Sequence, residues 1–238
     1  FQLACRSAAA LHQLAELLCL PGNTVRHQAS GHPLAMSNKS KNVINTCASR
    51  QAEDPWISDS NWIETVRARI KRKNKVLFRL DDALLSDISA MLNSSSRKAI
   101  ILWAFELAEE GIDALELRCP QDDRARKSLE LSKRWARGDI KMPTAKSAIL
   151  NCHGAAKDAK NEVCVALFHA VGQACSCVHT SDHALGFPIY ELTAIVRELG
   201  IESCEDAIIK RISEYESILI KAQKEALSHP GPWASFLQ

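Results

Sequence analysis

Eight histidines and nine cysteines are spread along this 238-residue chain. The stretch Cys164–Tyr190, CVALFHAVGQACSCVHTSDHALGFPIY, holds His169, His179 and His183 together with Cys164, Cys175 and Cys177. On a helix turning about 100° per residue, His169, Gln173, Ser176, Thr180 and His183 fall within about 40° of one direction, and His179 lies about 80° from His169. Three kinds of chemistry suit such a set. His179 and His183, spaced i, i+4, can reach one metal ion, with Cys175 a turn earlier and Cys152 or His153 across a helix pair as further zinc ligands. No carboxylate stands where H-E-x-x-H would make this a metalloprotease. Alternatively His169 or His183 acts as general base to a thiol nucleophile, Cys175 or Cys164, although both thiols sit in apolar helical patterns that disfavour the thiolate. The third reading is architectural: the imidazoles are buried donors and acceptors that tie helices together, because buried polar groups must be paired.

The architectural reading fits the surrounding residues best. Phe168, Leu167, Val171, Ala174, Val178 and the cysteines occupy the other directions, and a helix apolar nearly all round is a buried one. Cys164–Tyr190 is therefore expected to be a central helix with one polar seam. Within it, His169-Ala-Val-Gly172 and His183-Ala-Leu-Gly186 repeat an HA-x-G unit, whose small residues allow a close approach. Fourteen residues of helix return to within about 40° of the same face, so the two units face one neighbour unless Thr180-Ser181-Asp182 starts a new helix. The expectation is no catalytic residue, no metal and no cofactor. His169, His183 and Cys175 stand as the catalytic alternative, and Cys175, His179, His183 and His153 as the zinc-binding alternative.

The elements that position this stretch read as helices. Asn61 and Glu64 resemble a capping box opening a helix to about Arg72. Val76–Leu80 is a short β-prone segment, and Asp81-Asp82 is an acidic start for a helix reaching Leu92. Ser96 caps Arg97–Leu117, which Cys119-Pro120 ends. Asp122-Asp123 opens Arg124–Arg137, Gly138 stops it, and Pro143 lies in the first turn of a helix running to about Lys160. Pro188 begins Ile189–Leu199, Gly200 closes it, and Ser203 with Asp206 suggests a capping box for Glu205–Leu227. This predicts a single all-α domain of about seven helices over residues 61–228, preceded by an extension or linker over 1–60 and followed by an irregular tail over 229–238. Leu3–Leu18 reads as a short helix stopped at Pro21-Gly22, in preference to a transit peptide.

Composition narrows the function classes. Net charge is +2 and hydrophobic content 46%, as in ordinary globular proteins. The basic excess lies in the first 75 residues, which include the run Arg67, Arg69, Lys71, Arg72, Lys73 and Lys75. That run reads as a solvated helix face; no interleaved aromatic platform marks it for nucleic acid. No apolar run approaches the ~18 residues of a spanning helix. An odd cysteine count without C-x-x-C reads as reduced thiols in a cytoplasmic protein. G-x-G-x-x-G, P-loop, G-x-S-x-G and kinase motifs are missing, so common nucleotide and hydrolase chemistries have no support.

Val76-Leu-Phe-Arg-Leu80, Trp103-Ala104, Asp122-Asp-Arg124, Trp135-Ala-Arg-Gly138, Cys152-His153, His169-Ala-Val-Gly-Gln173, Val178-His179, His183-Ala-Leu-Gly186 and Ile189-Tyr-Glu-Leu192 occur in this order. In that order they resemble the immunity-protein-five-like group of helical bacterial immunity proteins, over about Lys75–Gly200. The resemblance implies an all-α domain that neutralises a cognate toxin domain by direct binding, without a cofactor. One departure is Ala125, where the family pattern has a second proline beside the Asp-Arg element.

Overall fold

The computed structural model describes residues 61–228 and 231–238. The extension expected over residues 1–60, with its Leu3–Leu18 helix, lies outside the described residues. Among the described residues there are eight α-helices and no strand: α1 Asn61–Lys71, α2 Ser86–Asn93, α3 Arg97–Arg118, α4 Arg124–Arg137, α5 Met142–Asp158, α6 Glu162–Ser176, α7 Gly186–Leu199 and α8 Glu205–Ser228.

Local signals set most of these boundaries. The Ser96 hydroxyl accepts the Ala99 N–H at 3.2 Å at the start of α3, and the Asn161 side chain accepts the Val163 N–H at 2.7 Å at the start of α6. Each satisfies one of the donors a helix N-terminus leaves open. Gly138 ends α4 at φ 86°, a left-handed conformation that glycine adopts without a Cβ penalty.

Helix α6 lies at the centre, packed on α3, α4, α5 and α7. Ala166, Ala170, Gly172 and Ala174 are buried on it, and these small residues let the four neighbours come close. Larger side chains fill the rest: Trp103, Phe168, Phe187, Leu107 and Ile112 are almost wholly inaccessible. Each contributes about 2–3 kcal/mol by leaving water.

Four expectations need correction. Cys164–Tyr190 is not one helix: α6 stops at Ser176, and a 3-10 turn at Ser181–His183 precedes α7. Thr180 causes the break, being extended at φ −146° and ψ 135° with its hydroxyl accepting the Asp182 N–H. Val76–Leu80 is not a strand, since among the described residues there is no sheet for it to join. Instead Leu77 and Phe78 plug into the core, and the Leu77 N–H donates to Thr193 Oγ1 at 3.0 Å. Asp82 opens only a 3-10 turn, Ala83–Leu85, without capping it. Its carboxylate takes Arg69 at 2.5 and 2.6 Å and accepts the Arg79 N–H. Lastly, the tail is not irregular throughout. Ser235–Leu237 forms a 3-10 turn, the Ala234 N–H donates to Ala136 O at 2.8 Å, and Phe236 lies 5.8 Å from the Trp135 ring.

A buried ionic network joins α3, α7 and α8. Arg211 donates to both oxygens of Glu191, at 2.8 and 3.0 Å, and to Glu110 at 2.7 Å. The Tyr215 hydroxyl donates to Glu191 Oε2 at 2.5 Å, and the guanidinium lies 4.8 Å from the Tyr215 ring centre. Burial raises the Glu110 carboxyl, against the pull of Arg211. A buried ion pair adds little net stability, but removing one partner leaves an unpaired interior charge. Glu191→Ala should therefore destabilise the domain by about 3–5 kcal/mol, measured by urea unfolding. A loss under 1 kcal/mol would show that Arg211 can reach solvent.

Candidate functional site

The polar seam is assembled by three helices and one turn. His169 and Gln173 come from α6, His153 from α5, Tyr190 from α7 and His183 from the 3-10 turn. His153 Nδ1 and His169 Nδ1 are 3.1 Å apart, so one ring donates and the other accepts. The His169 ring centroid lies 5.3 Å from that of His153 and 5.1 Å from that of Tyr190. His183 Nδ1 meets Gln173 Oε1 at 2.8 Å, and the Ser176 hydroxyl donates to Gly172 O at 2.8 Å. These side chains are half-buried, so water reaches the edge of the seam.

Burial disfavours the charged form of both paired imidazoles. Burial pushes His153 down to about 4, with help from the charges that His169 and His183 would carry. His169 is lowered by burial first and then by Lys75. Gly172 is the floor of this arrangement: a Cβ there would lie 2.5 Å from His153 Cε1. The second HA-x-G unit has a different neighbour, because the helix breaks between them. A Cβ on Gly186 would meet Gln173 Cγ at 2.7 Å.

The remaining candidates are dispersed. His179 is exposed and stacked 6.4 Å from Trp135. Cys152 turns into the core and donates to Phe168 O at 3.3 Å. Cys175 is fully buried, and burial pushes its thiol up to about 11. The hydroxyls of Ser128 and Ser132 act against that rise and bond to no nitrogen or oxygen. Among the described residues no hydrogen bond joins Cys175 to an imidazole. The proposed zinc set Cys175, His179, His183 and His153 is thus not brought together. Among the described residues no three His, Cys, Asp or Glu side chains are placed to hold one ion.

Three groups were given no role by the sequence reading: Tyr190, Glu191 and Arg211. For Arg211 a signal existed. The positions Cys204, Ile208, Arg211, Tyr215, Leu219 and Ala222 recur at helical spacing, which puts Arg211 on the buried face.

The basic run is partly used within the fold. Arg69 pairs with Asp82, and Arg67 donates to both oxygens of Glu202 at 2.9 Å. Lys71, Arg72, Lys73 and Lys75 are exposed. Elsewhere α4 and α5 frame an open groove of about 300 Å³, lined by Arg124, Lys127, Leu131, Thr144, Ser147 and Asn151. Among the described residues no helix is long and apolar enough to cross a membrane.

Among the described residues the domain is all-helical, with a central helix enclosed by four others. The chain belongs to the family described as Imm-5 like putative immunity protein, which matches residues 90–218, more than half its length. The matched region contains the whole seam and the Arg211 network. Neither the curated proteins nor the solved structures gave a match.

Burial of these imidazoles makes stability depend on pH with a definite sign. Between pH 6.5 and about 4 the unfolded imidazole of His153 binds a proton that the folded one does not. Stability is then full above about pH 6.5 and falls as pH drops, by about 1–2 kcal/mol after allowing for partial exposure. Urea unfolding across pH 4.5–7 should show this slope, and His153→Gln should flatten it. Gly172→Ala should cost about 1–3 kcal/mol by overpacking and displace the His153 ring, seen as a shift of its imidazole NMR signals.

Proposed function

We propose that this protein neutralises a cognate toxin domain by direct, non-catalytic binding. The observation that carries the reading is the family match, which spans the end of α2 through most of α8. The geometry agrees with it. One nitrogen of each seam imidazole is engaged inside the fold, His153 with His169 and His183 with Gln173, and the His169 ring packs on Tyr190. Recognition is left to the outer faces of the helices. The α4–α5 groove suits a protein partner: it is open, and it combines the charges of Arg124 and Lys127 with apolar Leu131 and the polar Thr144, Ser147 and Asn151. Leu150 is exposed on α5 nearby. Such a mixture supplies both contact area and the charge pattern that steers association.

The seam supports the second reading, a metal-binding or catalytic role, through one feature only: two imidazole Nδ1 atoms lie 3.1 Å apart. A zinc ion would need further ligands.

Co-expression with toxin domains encoded beside the gene tests the first reading. The expected outcome is rescue of growth and co-elution of the pair. Lys127→Glu combined with Asn151→Arg should weaken capture about tenfold or more, by charge reversal and bulk at the groove, with an unchanged melting temperature. No partner and no rescue would overturn the proposal. Elemental analysis separates the second reading. Zinc or iron well below stoichiometry is expected, whereas a stoichiometric metal lost on His183→Ala would move the seam to metal binding.

A further inference from the structure

Two cysteines far apart in sequence meet where α3 ends and α6 begins. Cys119 follows the last residue of α3 and Cys164 lies in the first turn of α6, with their sulfurs 3.3 Å apart. The other described cysteines make different contacts: Cys152, Cys177 and Cys204 donate to backbone carbonyls, and Cys175 faces the α4 serines. All six described cysteines are free thiols.

We propose that Cys119 and Cys164 form a thiol pair that peroxide converts to an intramolecular disulfide. Closing the bond requires the sulfurs to approach by about 1.2 Å, to the ~2.05 Å of a disulfide. Cys119 can supply that movement, because it sits outside regular helix at φ −135° and ψ 60°. Access is asymmetric. Cys119 is half-buried and lines an open groove with Pro120, Gln121, Asp122, Asp123 and Arg124, whereas Cys164 is only 2% exposed. Burial, followed by the Cys119 thiol, pushes Cys164 up to about 11. Cys119 is therefore the sulfur that meets the oxidant, and Cys164 the one that resolves it.

The chemistry balances with hydrogen peroxide as oxidant. The Cys119 thiolate attacks one peroxide oxygen, the O–O bond breaks, and the leaving hydroxide takes a proton to become water. The resulting sulfenic acid is attacked by the Cys164 sulfur; the S–O bond breaks, and the hydroxide leaves with the thiol proton as a second water. Two thiols and one peroxide thus give one disulfide and two waters. The new bond would tie the end of α3 to the start of α6, closing a loop that contains α4 and α5. It forms beside the Arg118–Glu198 ion pair, which already joins α3 to α7 at 3.3 Å.

The test uses the full chain, reduced, exposed to a few equivalents of hydrogen peroxide, alkylated and digested without reductant. Mass mapping is expected to find Cys119 and Cys164 in one linked pair of peptides, absent from C119S and C164A and retained in C204S. Oxidation should raise the melting temperature of the wild type by on the order of 5–10 °C, because the cross-link restricts the unfolded chain, and leave C119S unmoved. Three outcomes would overturn the proposal: no linked peptide, Cys119 linked instead to Cys5, Cys19 or Cys47, or Cys119 oxidised to sulfinic acid with Cys164 still free.

Discussion

The enclosure of α6 governs the rest of this domain. A helix packed on four neighbours has few directions left for polar side chains, so those along its half-buried seam are met largely by the elements around it. The positions of α5, α7 and the 3-10 turn satisfy that demand. α5 brings His153 to His169, α7 brings Tyr190 to the same ring, and the turn brings His183 to Gln173. Ser176 returns its proton to its own helix. Because the same interface is built from alanine and glycine, helix spacing and polar pairing are set by one choice of residues.

A second polar centre lies on the other side of α7, and two consecutive residues divide the work. Tyr190 faces the histidines while Glu191 accepts Arg211 and Tyr215 from α8. Successive helical residues point about 100° apart, so α7 serves both centres without a kink. The indole of Trp103 adds a neutral tie, donating to Tyr215 O at 2.9 Å. These centres make α3, α6, α7 and α8 one cooperative body, with α1 held through Arg69 and Asp82 and the tail held against Trp135.

Much of the fold was legible because its signals are local. Ser96, Asn161, Gly138, Pro143 and Gly200 each act within a few residues of themselves, and each marks a boundary that the structure keeps. The all-α class followed from their sum. The site was legible only in part. His153, His169, Gln173 and His183 stood out by type and spacing, yet the wheel that grouped them assumed one helix. Thr180 breaks that helix through a side-chain bond available to it locally, and nothing in the flanking apolar pattern weighs that bond against continued helix. Leu77 and Phe78 carry β-propensity that tertiary burial overrides. The pairings of Glu191 with Arg211 and of Cys119 with Cys164 are long-range, decided by packing that no local window contains.

Gly172 under the His153 ring has a consequence for alignment. Two helices joined through small residues present a nearly smooth surface, and sliding one past the other by a turn costs few contacts. Here such a slip moves four residues: it would place Phe168 or Ser176 beneath the imidazole, where only a hydrogen fits. The glycine therefore acts as a notch that admits one register of α5 on α6. By fixing that register, it also fixes which histidine meets which.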